Sequence, residues 1–211
     1  MGRSTLRRPA NRRRRRAPFP GGRRRRLAVL AALFLMLAAL GAYYATQYRI
    51  DQEYARYPLA YRDQIALAAA GQSLGQAHVA AVVLCESSFR PRAVSSEGAM
   101  GLMQIMPDTG IWIAGKLGVE GFDVDDLFDP EINLRFGCWY LRWLLDRYDG
   151  DMRLATAAYH AGQGSVDRWL ADPAYSDDGR TLTAIPFADT REYTGRILAA
   201  YEKYKELYDL P

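Results

Sequence analysis

Cysteine and histidine are scarce in this chain: Cys85, Cys138, His78 and His160 are all it has. None stands in a CxxC pair or a His cluster, so a metal centre is not expected and no cofactor is called for. Strand signals are nearly missing as well. The apolar runs are rich in Ala and Leu and lack sustained two-residue alternation, which excludes a sheet-based domain and predicts an all-α fold. A third absence is acidic: residues 1–26 hold 12 arginines and no Asp or Glu, leaving 16 basic against 24 acidic residues, a net charge of −8, in the rest of the chain. The reported balance of +4 therefore averages two unlike parts.

The arginines admit nucleic-acid binding, but they directly precede LAVLAALFLMLAALGAYY, a charge-free run long enough to cross the hydrocarbon layer as a helix. Tyr43, Tyr44 and Tyr48 gather at its far end, as interfacial aromatics do. Residues 1–26 read as a disordered cytoplasmic tail, 27–47 as a signal-anchor helix through the cytoplasmic membrane, 48–60 as a polar linker and 61–208 as an extracytoplasmic domain. No nucleic-acid partner is expected. A cleaved signal peptide is the rival, with small residues at Ala39 and Gly41 suitably spaced.

From Tyr61 the period is helical. Segments are predicted at 61–71, 77–87, 107–117, 130–148, 151–161, 164–171 and 189–208, and the stretches between them are rich in Gly, Asp and Pro. In the 130–148 segment Ile132, Phe136, Trp139, Tyr140, Trp143 and Leu144 make one broad apolar face, read as core. Cys85 and Cys138 either join two helices by a disulfide or are two small buried hydrophobes.

The stretch LCESSFRPRAVSSEGAMGLMQIMP sets Glu86 at the end of the apolar run VAAVVLC. Burial there disfavours the carboxylate and raises its pKa, producing a usable acid at neutral pH, as protonation of a glycosidic oxygen requires. Spacing alone leaves open that Glu86 merely points into water near a helix end.

Resemblance narrows the choice. Glu86-Ser87-Ser88-Phe89, then Ala93-Val94-Ser95, then Gly98 to Pro107 (GAMGLMQIMP) resemble the soluble-type lytic transglycosylases, bacterial enzymes of lysozyme-like fold that cut peptidoglycan between N-acetylmuramic acid and N-acetylglucosamine. NLRFGCWYLRWLLDRY, Ala158-Tyr159-His160-Ala161-Gly162 and Pro186 to Tyr193 (PFADTREY) resemble further segments of that family.

The resemblance implies that Glu86 is the single catalytic acid, that the product carries a 1,6-anhydromuramyl end, and that no partner carboxylate is needed. It implies that Ser95, Gln104 and Met106 line the cleft and that the Tyr159 hydroxyl points toward Glu86. Gly98, Gly101 and Gly162 are expected to permit tight turns beside the substrate. Asp189 stands where the family has Glu and is expected to anchor and cap the last helix. His160 replaces an Asn, keeps one donor and one acceptor for substrate, and introduces a group that titrates near pH 6 to 7. Glu97 reads as a solvated loop charge and His78 as an ordinary surface or core-edge histidine. The partners implied are glycan strands and the cytoplasmic membrane, with any envelope or divisome partner unspecified. A hydrolytic muramidase of goose-type lysozyme kind and an inactive glycan-binding scaffold are the competing readings.

Overall fold

The computed structural model describes residues 21–210, so residues 1–20 of the tail expected at 1–26 lie outside the described residues. The described chain is helical, with only the isolated bridges Val94 to Met100 and Met100 to Ile105 in place of a sheet. It divides after Gln52 into two units.

The first unit is the greater part of α1 (Gly21–Arg56), none of whose residues is buried. Here the structure corrects the expected boundaries. Arg23 to Arg26 are helical instead of disordered, and the polar stretch from Tyr48 to Arg56 continues the helix instead of forming an irregular linker. Once the Ala- and Leu-rich middle has nucleated a helix, adding flanking residues costs little. Propagation stops where Pro58 disfavours helical geometry at Tyr57.

The second unit begins at Glu53, earlier than the expected 61, because the last turn of α1 is bonded into it. Tyr54 donates its hydroxyl to the Leu207 carbonyl (3.0 Å), and Tyr208 donates to the Tyr57 carbonyl (2.8 Å). Tyr204, fully buried, donates to the carbonyl of Pro58 at 2.6 Å. These bonds join the start of the unit to α8 (Ala188–Tyr208).

Between these ends run α2 (Arg62–Gly71), α3 (Gln76–Ser87), α4 (Pro107–Leu117), α5 (Pro130–Arg147), α6 (Met152–Ala161) and α7 (Gln163–Leu170), each close to its predicted span. A 3-10 turn at Val124–Phe128 falls where only loop was read, closed by a reciprocal capping box between Asp123 and Asp126. Pro130 opens α5 behind Asp129, whose carboxylate caps the amides of Glu131 and Ile132. The Asp151 carboxylate caps Leu154 in the same way.

At the centre lies α3, which buries every residue from Ala77 to Val83 and packs against α2 and α8. Helix α6 packs on α5, α7 and α8. The inward face of α5 is rotated from the predicted one: Asn133, Leu134, Phe136, Gly137, Cys138, Leu141, Leu144 and Leu145 are buried, while Trp139, Tyr140 and Trp143 are only partly covered. The aromatic rings tolerate a half-wet position because they pack on one another. Trp112 of α4 meets Trp139, Tyr140 and Trp143 edge-on at 5.3, 6.1 and 5.4 Å between centroids.

Candidate active site

Glu86 occupies the last turn of α3, whose end is sharply defined. Ser88 and Phe89 both take left-handed backbone geometry (φ 51° and 60°), and Phe89 turns back into the core. Buried Ser87 donates its hydroxyl to the Leu102 carbonyl at 2.8 Å, with the Val83 carbonyl also in reach at 3.2 Å. The helix end is thereby bonded to the motif loop that follows.

That loop folds around one buried amide. Asn133 of α5 accepts from the Met103 amide at 2.7 Å and donates to the carbonyls of Met100 (2.9 Å) and Leu127 (2.7 Å). Gly101, at φ +79°, lies against it: a Cβ there would collide with the Asn133 side chain and the Leu127 carbonyl. Its glycine requirement thus comes from the protein's own packing, where a turn beside the substrate was expected. Gly137 similarly leaves room for the Met103 side chain.

The expected cleft residues are close together in sequence, but several spend their polar atoms on the protein. The Ser95 hydroxyl accepts from the amides of Glu97 (3.2 Å) and Ala99 (3.1 Å), closing its own turn. Gln104, at φ 49°, donates its amide nitrogen to the carbonyls of Ala93 (3.2 Å) and Gly101 (3.0 Å). Met106 caps α4 with a backbone in extended geometry and is 41% exposed. Beyond it a recess of about 310 Å³ is lined by Asp108, Thr109, Trp112, Tyr140 and Gln163.

The tyrosine hydrogen-bonded to Glu86 is not Tyr159, although that phenol is close enough to feel the carboxylate charge. Tyr159 donates its hydroxyl to the Met103 carbonyl at 2.8 Å, bracing the loop, whereas Tyr193 of α8 donates to Glu86 Oε1. Tyr159 takes the bond to Met103 because it sits deep between α5 and the loop, with Tyr140 at 5.4 Å. The signal for Tyr193 was present in PFADTREY, as an aromatic one helical turn after Thr190, but nothing in a linear sequence says that it crosses to α3. Asn133, likewise inside a recognised segment, has no role legible from the sequence, because its three partners lie on other segments of the fold.

Glu86 is half-buried, and loss of hydration pushes its pKa up from 4.5 to about 7, against the opposing pull of the Tyr193 hydroxyl and the Arg196 charge. Burial also pushes Tyr159 and Tyr193 well above the usual phenol value. Both cysteines are free thiols in place of the disulfide, Cys138 buried and Cys85 only partly so. They belong to different helices, α3 and α5, and desolvation raises Cys85 to about 11 and Cys138 to about 12.

His160 closes Nδ1 on the Thr190 hydroxyl at 3.1 Å and lays its ring against Tyr193, 4.5 Å between centroids. Gly98 and Gly162 lie at positive φ (88° and 80°). Asp189 lies inside the first turn of α8, behind a Phe187 N-cap without a side-chain bond, and accepts from the neighbouring Thr190 amide at 2.8 Å. It is therefore not the cap that was expected. Glu97 is fully exposed. His78, expected at the surface or core edge, is 2% exposed, and burial pulls its pKa down to about 4. No group of three or more potential metal ligands occurs among the described residues.

Residues 63–180 match the family described as the Transglycosylase SLT domain. The chain is 35% identical over 153 residues to the soluble lytic murein transglycosylase of Escherichia coli K12, covering 71% of this chain and 24% of that protein. It is 29% identical over 174 residues to the membrane-bound lytic murein transglycosylase C of Edwardsiella ictaluri, covering 70% and 47%. Among solved structures it is similar to an inactive Glu-to-Gln mutant of the lytic transglycosylase Slt from Pseudomonas aeruginosa, with TM-score 0.66, 31% identity and coverage of 74% of this chain and 25% of that one. The chain thus spans between a quarter and a half of the length of these relatives.

Proposed function

Because this chain belongs to the SLT-domain transglycosylases, we propose that it is a membrane-anchored peptidoglycan lyase that cuts the bond between N-acetylmuramic acid and N-acetylglucosamine. The observation that carries the reading is Glu86, an acid with a pKa of about 7 at the end of a buried helix, with the Tyr193 hydroxyl on one carboxyl oxygen.

The chemistry needs one carboxyl group used twice. Protonated Glu86 gives its proton to the glycosidic oxygen as the bond to the muramyl anomeric carbon breaks, and positive charge develops on the sugar ring. Glu86, now a carboxylate, takes the proton of the muramyl 6-hydroxyl while that oxygen bonds to the same anomeric carbon. The products are a free 4-hydroxyl on one strand and a 1,6-anhydromuramyl end on the other. No water enters. No second carboxylate is among the groups that shift the proton affinity of Glu86, which suits this route better than a two-carboxylate hydrolysis. The loss of activity in the related Glu-to-Gln mutant agrees with a glutamate in this role.

Met106, Gln104 and Ser95 would line the substrate path, with the Gln104 carbonyl oxygen and Met106 thioether left to face sugar. The charge-free middle of α1 suits a bilayer span, and the arginines before it favour a cytoplasmic amino terminus, leaving the domain from Glu53 outside. A membrane-bound relative is consistent with that assignment.

The test is mass spectrometry of soluble products from purified peptidoglycan, using the detergent-solubilised chain and Glu86→Gln. Anhydromuramyl ends from the wild type alone are expected. Reducing muramyl ends would make the enzyme a hydrolase, and glycan binding without products would make it a scaffold.

A further inference from the structure

We propose that His160 is a positioning residue for the acid: anchored on Thr190, its ring holds Tyr193 so that the phenol hydroxyl stays on Glu86 Oε1. This rests on Glu86 being the acid of the reaction. It departs from the substrate contact that resemblance implies for this position.

Four side chains from three helices form the relay. Thr190 is buried (1% exposed) on α8, and its hydroxyl pairs with His160 Nδ1 at 3.1 Å, which satisfies a group that would be costly to leave unpaired. That bond fixes the imidazole plane. Tyr193 follows Thr190 by three residues on the same helix, so both side chains face α6 together. The imidazole lies 4.5 Å from the Tyr193 ring at an interplanar angle of 31°, closing one face of a ring that is only 3% exposed. The hydroxyl at the far end of that ring donates to Glu86 on α3. An Asn at position 160 is able to reach Thr190 but has no ring to lay against Tyr193, so the tilted ring contact is what histidine adds.

The relay acts on both orientation and acidity. A phenol that donates to a carboxylate favours the ionised form; loosening it weakens Glu86 as an acid and lets the carboxyl rotate away from the leaving oxygen. The other groups that bear on Glu86 are Arg196 of α8, Tyr159 of α6 and Cys85 of its own helix, and Tyr159 and Cys85 bear on Tyr193 as well. Asp189 precedes Thr190 and is exposed.

The experiment measures anhydromuramyl product formation against pH for the full chain in detergent. The series comprises wild type, Glu86→Gln, His160→Asn, His160→Phe, Tyr193→Phe and the His160→Asn/Tyr193→Phe double variant. His160→Asn should lower kcat about tenfold, at the mild end of what misplacing a catalytic group costs, with KM nearly unchanged. Its alkaline limb should move up by about half a pH unit or more, because the stabilising donor is lost. His160→Phe, which keeps a ring but loses the Thr190 bond, should recover part of kcat. Tyr193→Phe should shift the limb at least as far, and the double variant should shift it no further.

An unmoved limb in His160→Asn overturns the proposal, as does an additive shift in the double variant. A raised KM with unchanged kcat would return His160 to a substrate contact. If His160→Asn does not fold, His160→Gln carries the same comparison. Failure of the underlying reading looks different, since activity would then survive Glu86→Gln.

Discussion

The side-chain amide of Asn133 occupies the space that a Cβ on Gly101 would need, and the Leu127 carbonyl that accepts from this amide borders the same space. Asn133→Ala removes three hydrogen bonds and leaves buried partners unmatched, so unfolding free energy should fall by about 3 to 5 kcal/mol in denaturant titration. Gly101→Ala should be comparably harmful, because the neighbours it strikes are backbone and a fixed amide and the residue has φ +79°. A loss under 1 kcal/mol for either would show that the loop repacks around them.

Glu86 makes stability fall with rising pH. Its folded pKa, about 7, exceeds the ordinary 4.5, so the native state holds the proton more tightly and stability is lost as pH climbs between these values. The full effect is on the order of 3 kcal/mol. Glu86→Gln should therefore melt higher than wild type at pH 8, and the gap should close near pH 4.5. Equal melting temperatures at pH 8 would mean that the carboxylate is hydrated in solution.

The same raised value sets the activity profile. Catalysis needs the protonated form, so kcat/KM should decline above about pH 7 and fall tenfold for each further unit. A rate that stays flat to pH 9 would place the controlling acid elsewhere.

His78 has the opposite sign. Burial lowers its pKa from 6.5 to about 4, so the unfolded chain takes up the proton first and stability is lost as pH falls through that window. The Nε2 atom has no hydrogen-bond partner, and His78→Leu should remove much of the acid sensitivity while leaving stability at pH 8 within about 1 kcal/mol. Thermal melts from pH 4 to 8 check this directly.

Trp112, which lines the recess beside Tyr140, and Met106, two residues before the Asp108 of that recess, both stand exposed. Substituting either by Ala should raise KM about three- to tenfold on glycan strands and change kcat little, since aromatic and thioether surfaces add binding without touching the bond that breaks. A fall in kcat with constant KM would argue that they shape the acid's surroundings instead.

The helices were legible because their punctuation is local. Pro107 and Pro130 open α4 and α5, Asp129 and Asp151 cap their helices, and the Ala-rich run before Glu86 has one natural place in a small domain, the centre. The acid's raised pKa followed from that same run. What the sequence concealed was crossing. Tyr159 and Tyr193 are both motif tyrosines, and only the docking of α6 and α8 decides which reaches Glu86. The aromatic face of α5 misled for a related reason: hydrophobicity does not distinguish a ring buried in the core from one packed edge-on against Trp112 at the surface. Tyr48 to Arg56 looked like a linker because it is polar, yet helix continuation depends on the preceding segment and on where Pro58 halts it.

The bond between Tyr193 and Glu86 joins positions 107 residues apart, through the last helix of the described chain. During synthesis, Glu86 is made long before its partner. Until residues from Ala188 onward have been made, the phenol that bonds Glu86 and the helix that packs against α3 are both missing, so the two halves of this pair meet only late in synthesis.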